Sequence, residues 1–223
     1  MVINPAILVF DMDGVLVDVS ESYRETIVRT VEHFTGRAIE RAAIQRYKNQ
    51  GGWNNDWELS QKICADLGVT VDYDAVVEYF NHLFLDGGLI HRERWLPKPG
   101  LLEGLASRYE LAIFTGRNQL EVGITLEREG WAGRFLIVSS DDVVNPKPDP
   151  EGLLRIVARR PGKELLYIGD TVDDARSART AGVAFFGIAA GDQELARLLE
   201  NEGAAAVLKD INELEDLLCV AHP

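Results

Sequence analysis

Asp11 and Asp13 stand two positions apart, directly after the apolar run Ala6-Ile7-Leu8-Val9-Phe10 and directly before Gly14. A short run of this kind reads as a buried strand, which puts both carboxylates at its C-terminal tip. In an open α/β sheet of parallel strands that tip faces the crevice where ligands bind. Two carboxylates there can hold a hard divalent cation, and one of them can act as a nucleophile. Three more stretches carry reactive groups beyond apolar runs. Thr115-Gly116 follows Leu111–Phe114, Asn145-Pro146-Lys147-Pro148 comes after Phe135–Val138 and a loop, and Gly169-Asp170-Thr171-Val172-Asp173-Asp174 follows Leu165–Ile168. Together they supply a nucleophile, a hydroxyl donor, a cation and further carboxylates, which is the equipment phosphoryl transfer asks for. Each stretch has a plainer explanation of its own. Asp-x-Asp-Gly and Thr-Gly occur as turns, a lysine between prolines is usually solvated, and Asp170, Asp173 and Asp174 can cap a helix and complement its dipole. Four such coincidences in this order, all on strand ends, make the weaker account.

The elements that must position these groups alternate. Strands are expected at 6–10, 111–114, 135–138, 165–168, 183–188 and 205–208, with helices near 100–108, 118–129, 149–159, 173–181 and 192–200. Strands alternating with helices imply a parallel sheet covered on both faces, so the expected fold is α/β with a doubly wound core. The first strand is cut off from the others. Between them, Tyr23, Ile27, Val31 and Phe34, then Leu59, Ile63 and Leu67, then Tyr73, Val76, Val77, Phe80 and Phe84 recur at helical spacing. The expected organisation is therefore a core of residues 1–14 and 93–223, with residues 15–92 as an inserted α-helical domain containing no strand. Gly36, Gly51-Gly52 and Gly87-Gly88 punctuate the insertion.

The 223 residues carry a formal net charge of −13. That balance repels nucleic acid and anionic membrane, and it admits an anionic small molecule only where cations compensate locally. Cys64 and Cys219 lie far apart, with no metal-ligand spacing, which points to a reducing compartment. The first ten residues lack the basic region of a signal peptide and the length of a membrane span, so a cytoplasmic protein is expected. His33, His82, His91 and His222 show no ligand spacing either, and the first three are expected at the surface.

The four motifs, in this order, resemble those of haloacid dehalogenase superfamily phosphohydrolases with a helical cap inserted after the first motif, like phosphoglycolate phosphatases and β-phosphoglucomutases. The resemblance implies a Rossmann-like core and a set of roles. Asp11 attacks phosphorus and becomes an aspartyl phosphate, and Asp13 is the acid for the leaving alcohol and then the base for water. Thr115 and the Gly116 N–H bind phosphate oxygens, and Lys147 neutralises the phosphoryl group and pairs with Asp11. Mg²⁺ is held by the Asp11 carboxylate, the Asp13 carbonyl and Asp170, with Asp174 and Asp173 directly bound or one step removed. Within the superfamily, dehalogenases and phosphonate hydrolases lack the acid found here as Asp13. The implied activity is thus Mg²⁺-dependent hydrolysis of a small phosphorylated metabolite, by a monomer or homodimer that binds neither nucleic acid nor membrane. A phosphomutase shares every core motif. A non-catalytic ligand-binding protein would be expected to have lost one, and none is lost. For substrate recognition the candidates are Arg117, beside Thr115-Gly116, which either faces substrate or pairs with a carboxylate, and, in the insertion, Lys48, Trp53 and Asn54. Asn55, Trp57 and Arg24 read more simply as a helix cap, a packed aromatic and a helix-surface charge.

Overall fold

Ile7, Leu8, Val9 and Phe10 are completely buried in the computed structural model, which describes residues 5–220 except for the side chains of Cys219 and Val220. His222 and the Cys219 thiol lie outside the described residues. A strand with no exposed face belongs in the middle of a sheet covered on both sides. In chain order the elements are β1 (Ile7–Phe10), β2 (Val17–Asp18), α1 (Tyr23–Thr35), α2 (Arg41–Gln50), α3 (Asp56–Asp66), α4 (Tyr73–Asn81), β3 (Arg94–Trp95), α5 (Leu101–Ala106), β4 (Glu110–Phe114), α6 (Gln119–Arg128), β5 (Leu136–Val138), α7 (Glu151–Arg159), β6 (Leu165–Gly169), α8 (Val172–Ala181), β7 (Ala184–Ile188), α9 (Gln193–Asn201), β8 (Ala206–Leu208) and α10 (Leu214–Val220).

Among the described residues, six strands form one sheet in the order β5-β4-β1-β6-β7-β8, and every neighbouring pair is parallel. The chain builds outward from β1 through β4 to β5, then crosses back to β6 and continues to β8. This is the doubly wound arrangement, and its direction reverses beside β1, where such sheets bind ligands. Ile7, Val9, Phe114 and Tyr167 pack with Leu153 and Ile156 of α7, Ala175 and Ala178 of α8, and Leu195 and Leu199 of α9. The remaining strand residues turn the other way, and Phe10 meets Phe135 edge-on at 6.5 Å between ring centroids.

The chain divides into two compact units, one made of residues up to Val17 together with those from Trp95 on, the other of Asp18–Arg94. The second is helical. Tyr23, Ile27 and Val31 of α1, Ile44 of α2, Leu59 and Ile63 of α3, and Val76 and Phe80 of α4 are buried, as is Phe84 in the π-helical turn His82–Asp86. Asn55 caps α3, its side chain accepting from the N–H groups of Trp57 at 2.9 Å and Glu58 at 3.2 Å. Residues 15–92 are expected to hold no strand, yet β2 lies there and pairs with β3. Two residues are too few to show a period of two. His33, His82 and His91 are exposed, and among the described residues no helix is long and apolar enough to cross a membrane.

Candidate active site

The register places Phe10 opposite Ile113 of β4 and Ile168 of β6, so Asp11, Thr115 and Asp170 leave the same end of three adjacent strands. The Asp11 N–H donates to Ile168 O at 2.8 Å, and the Thr115 N–H to Val138 O at 3.1 Å. Each bond carries the ladder one step beyond its strand, holding the reactive residue on rigid backbone. The chain then turns tightly, with Met12 O accepting from the N–H groups of Leu16 at 2.8 Å and Val17 at 2.9 Å. Gly14 takes φ +72°, and a Cβ built there would stand 1.8 Å from Asp170 Oδ2. Only a glycine lets the first and fourth motifs come this close.

Lys147 is buried and reaches two carboxylates of the site, with Nζ 3.0 Å from Asp11 Oδ1 and 2.7 Å from Asp174 Oδ1. The same ammonium lies 4.8 Å from the Phe114 ring centroid and 5.5 Å from that of Tyr167, so aromatic faces add to its stabilisation. Its loop is tied down locally. Glu151 Oε2 accepts from the N–H groups of Asn145 at 2.8 Å and Val144 at 3.0 Å, and Ser177 Oγ of α8 donates to Asp149 O at 3.0 Å. Asp174 is saturated: Oδ1 accepts from Tyr167 Oη at 2.6 Å besides Lys147, and Oδ2 accepts from Thr171 N at 3.0 Å and Thr171 Oγ1 at 2.7 Å. Thr171 and Asp174 thereby form the capping box of α8, so the helix-capping account of these aspartates and the active-site account both hold for Asp174. Tyr167, within an apolar strand, gives no sign in the sequence of this role beyond its hydroxyl, which needs a partner once buried.

Burial pushes the Asp11 carboxyl up to about 7; Lys147 opposes the rise, and the negative charges of Asp174 and Asp13 add to it. Burial alone would lower Lys147, but Asp11 and Asp174 hold it above its ordinary value and therefore charged. Burial likewise raises Asp174, and Lys147 with the Tyr167 and Thr171 hydrogen bonds overcomes this and brings it below its usual range. The Tyr167 hydroxyl is raised by burial and by the charges of Asp174 and Asp11, so it remains a donor. Among the described residues, the one set of carboxylates able to approach a common ion is Asp11, Asp170 and Asp174, with ligand oxygens within 4.8 Å of one another.

Arg117 does not stand free to meet a substrate. Its side chain is 1% exposed, and Nε and Nη2 lie 2.7 and 2.6 Å from one oxygen, Asp13 Oδ1. Thr115 is buried in the same turn, where its Oγ1 accepts from the Arg117 N–H at 3.2 Å. That contact leaves the hydroxyl hydrogen for another acceptor. Gly116 is exposed between them.

The sequence pattern of haloacid dehalogenase-like hydrolases matches residues 8–188, from the first strand to β7. The chain belongs to this family. Among curated relatives of this haloacid dehalogenase-like hydrolase, an imidazoleglycerol-phosphate dehydratase of Phytophthora nicotianae is 30% identical over 239 residues, covering 95% of this chain. The chain spans only about half of that longer protein, 52%. A phosphoglycolate phosphatase of Pseudomonas syringae pv. syringae is 28% identical over 218 residues, covering 94% of this chain and 78% of the relative. Among solved structures, a haloacid dehalogenase-like hydrolase from Bacteroides fragilis shares the fold with a TM-score of 0.80 at 23% identity, covering 95% of this chain and all of the other.

In the helical unit of this haloacid dehalogenase-like hydrolase, Lys48 is engaged. Its Nζ pairs with Asp56 Oδ1 at 2.6 Å, which cancels the charge expected to meet an anion. Arg24 donates to Gln45 Oε1 at 2.8 Å. Trp53 is half-buried edge-on to Tyr47 at 6.2 Å, Trp57 is edge-on to Phe80 at 6.4 Å, and Asn54 is half-buried.

Proposed function

We propose that this enzyme is a Mg²⁺-dependent phosphatase that hydrolyses a small phosphomonoester through a phosphorylated Asp11. The observation that carries the reading is the buried Lys147 ammonium shared by Asp11 and Asp174 at the tip of β1. It keeps Asp11 oriented and supplies positive charge where the phosphoryl group must sit. The metal follows from the donor set. Asp11, Asp170 and Asp174 offer only carboxylate oxygens, which suits a hard cation. Proximity admits all three, and in Asp174 each oxygen already meets two protein groups, Lys147 and Tyr167 at Oδ1 and the Thr171 N–H and hydroxyl at Oδ2. We therefore assign Asp11 and Asp170 to the ion, with the Asp13 carbonyl, and give Asp174 the task of holding Lys147. Bound Mg²⁺ supplies the charge neutralisation that lets an anionic phosphate approach a carboxylate.

In this reading an Asp11 oxygen attacks phosphorus while the bond to the leaving oxygen breaks. Asp13 gives that oxygen its proton, then takes one from the water that hydrolyses the acyl phosphate. The Thr115 hydroxyl donates to a phosphate oxygen. The Asp18–Arg94 unit is assigned the role of cap and substrate selection. A mutase would need a second set of phosphate-binding cations, and in that unit Lys48 pairs with Asp56 and Arg24 donates to Gln45.

The test is phosphate release from a panel of phosphorylated metabolites with and without Mg²⁺. 2-Phosphoglycolate comes first, because a relative is a phosphoglycolate phosphatase. Asp11→Asn should abolish turnover, a loss of roughly 10⁴-fold or more, with the fold intact by circular dichroism. Substantial phosphate release by that variant would refute the nucleophile. Isomerisation of a sugar phosphate without release would make the enzyme a mutase.

A further inference from the structure

Arg117 is more deeply buried than the acid it contacts. Its side chain is 1% exposed against 31% for Asp13. It is also held from several directions. Nη1 donates to Thr125 Oγ1 of α6 at 3.0 Å, and Thr125 is completely buried. The Arg117 N–H is bound by Thr115 Oγ1 at 3.2 Å, and its carbonyl accepts from Ser140 N at 2.9 Å. The helix behind it is fixed at its start by the capping box of Asn118 and Glu121. An arginine pairing with a carboxylate for ionic stabilisation usually engages both oxygens with its fork. Here both contacts fall on Asp13 Oδ1, which accepts from Nε at 2.7 Å and lies 2.6 Å from Nη2. Such a contact holds the Asp13 carboxylate by Oδ1 and leaves Oδ2 out of the ion pair. Asp13 lies beyond the end of β1, where its backbone makes an isolated bridge with Val17 and its side chain is held by Arg117.

We propose that Arg117 is a positioning residue that aims Asp13 at the leaving-group oxygen. The inference rests on the reading of Asp13 as acid and base in phosphate-ester hydrolysis. It gives a family-typical acid a dedicated support from the turn after β4, anchored in α6.

The test uses leaving groups. p-Nitrophenolate departs without a proton, whereas the phenolate of phenyl phosphate gains greatly from one. Arg117→Met should lower kcat for phenyl phosphate by roughly 10- to 100-fold, and for p-nitrophenyl phosphate by less than about 3-fold, with little change in KM. Asp13→Asn should show the same split, larger. Adding Arg117→Met to Asp13→Asn should cost nothing further, because a residue that acts through Asp13 has no effect once Asp13 cannot transfer protons. A merely structural arginine would slow both substrates alike, or add its full cost to the double variant, and either result overturns the proposal while leaving the phosphatase reading standing. Absence of a split in Asp13→Asn would instead remove the acid–base role of Asp13 itself. If Arg117→Met does not fold, Arg117→Lys carries the test. It keeps the charge but not the fork, and the same split is expected at a few-fold.

Discussion

At the scale of residues, the site depends on side chains that hold other side chains. Asp174 spends both oxygens on Lys147, Tyr167 and Thr171, so the contribution proposed for it is to fix where an ammonium sits. Gly14 works by lacking a side chain. Gly14→Ala places a methyl group against Asp170 Oδ2 and forces a left-handed backbone on an alanine. We expect turnover to be lost and stability to fall by roughly 2–4 kcal/mol. Gly36→Ala is the control. It has a similar φ of +65° but nothing within 4 Å of the added Cβ, so it should cost about 1 kcal/mol and keep activity. Denaturant midpoints and turnover of the two variants check this, and equal losses would mean that the turn conformation, not the approach of Asp170, sets the requirement. Residues of this kind differ in how legible they are. Asp11, Asp13, Thr115 and Asp170 stand at or just past strand ends and can be found by position, and Lys147 lies in the loop that follows a strand. The partnership of Arg117 with Asp13 spans 104 positions and has no spacing to betray it. Lys48 looks available to an anion until its neighbour eight residues on, Asp56, is seen to hold it.

At the scale of elements, each reactive group is delivered by a short connection with its own tether. The loop that carries Lys147 hangs on Glu151, at the start of α7. The Asn145 N–H, the Arg155 guanidinium and the Val144 N–H hold that carboxyl down to about 2, from an ordinary value of 4.5. A depressed value stabilises the fold above the unfolded value, and that stabilisation is lost as pH falls through the folded one. Glu151→Gln should therefore be less stable than the parent at neutral pH, with the gap closing between about pH 4.5 and about pH 2. Urea midpoints over that range measure it, and a gap independent of pH would show that the tether does not depend on charge. The core elements are legible because period and length agree. Leu165–Gly169 is apolar throughout and buried throughout. β2 is illegible because its pairing with β3, 76 residues away by the Asp18–Arg94 contact, is a tertiary event and leaves no local pattern.

At the scale of the whole molecule, three neighbouring carboxylates sit in a chain whose net charge is −13. A cation bound only by the folded state stabilises it by mass action. Millimolar Mg²⁺ should raise Tm by a few degrees, a chelator should reverse this and abolish turnover, and Asp170→Ala should be indifferent to both. With Asp11 lifted to about 7, protons compete with the ion, so the Mg²⁺-dependent shift should shrink from about pH 8 to about pH 6. A thermal shift that is unchanged in Asp170→Ala would remove that residue from the ion.

The central strand is made before both strands that flank it. β1 pairs with β4 and β6, whose residues opposite Ile7 are Glu110 and Leu165, roughly a hundred and a hundred and sixty positions later in the chain. During synthesis, four wholly apolar residues must wait, unpaired on both edges, until β4 and then β6 have emerged. The helical insertion is built from near-neighbour contacts and needs no such delay. The proposed nucleophile is thus translated well before the strands that complete its setting. A ribosome that stalls before Gly169 releases a product with an exposed sticky edge and an incomplete site, which makes quality control of partial chains part of the cost of placing this strand ahead of its partners.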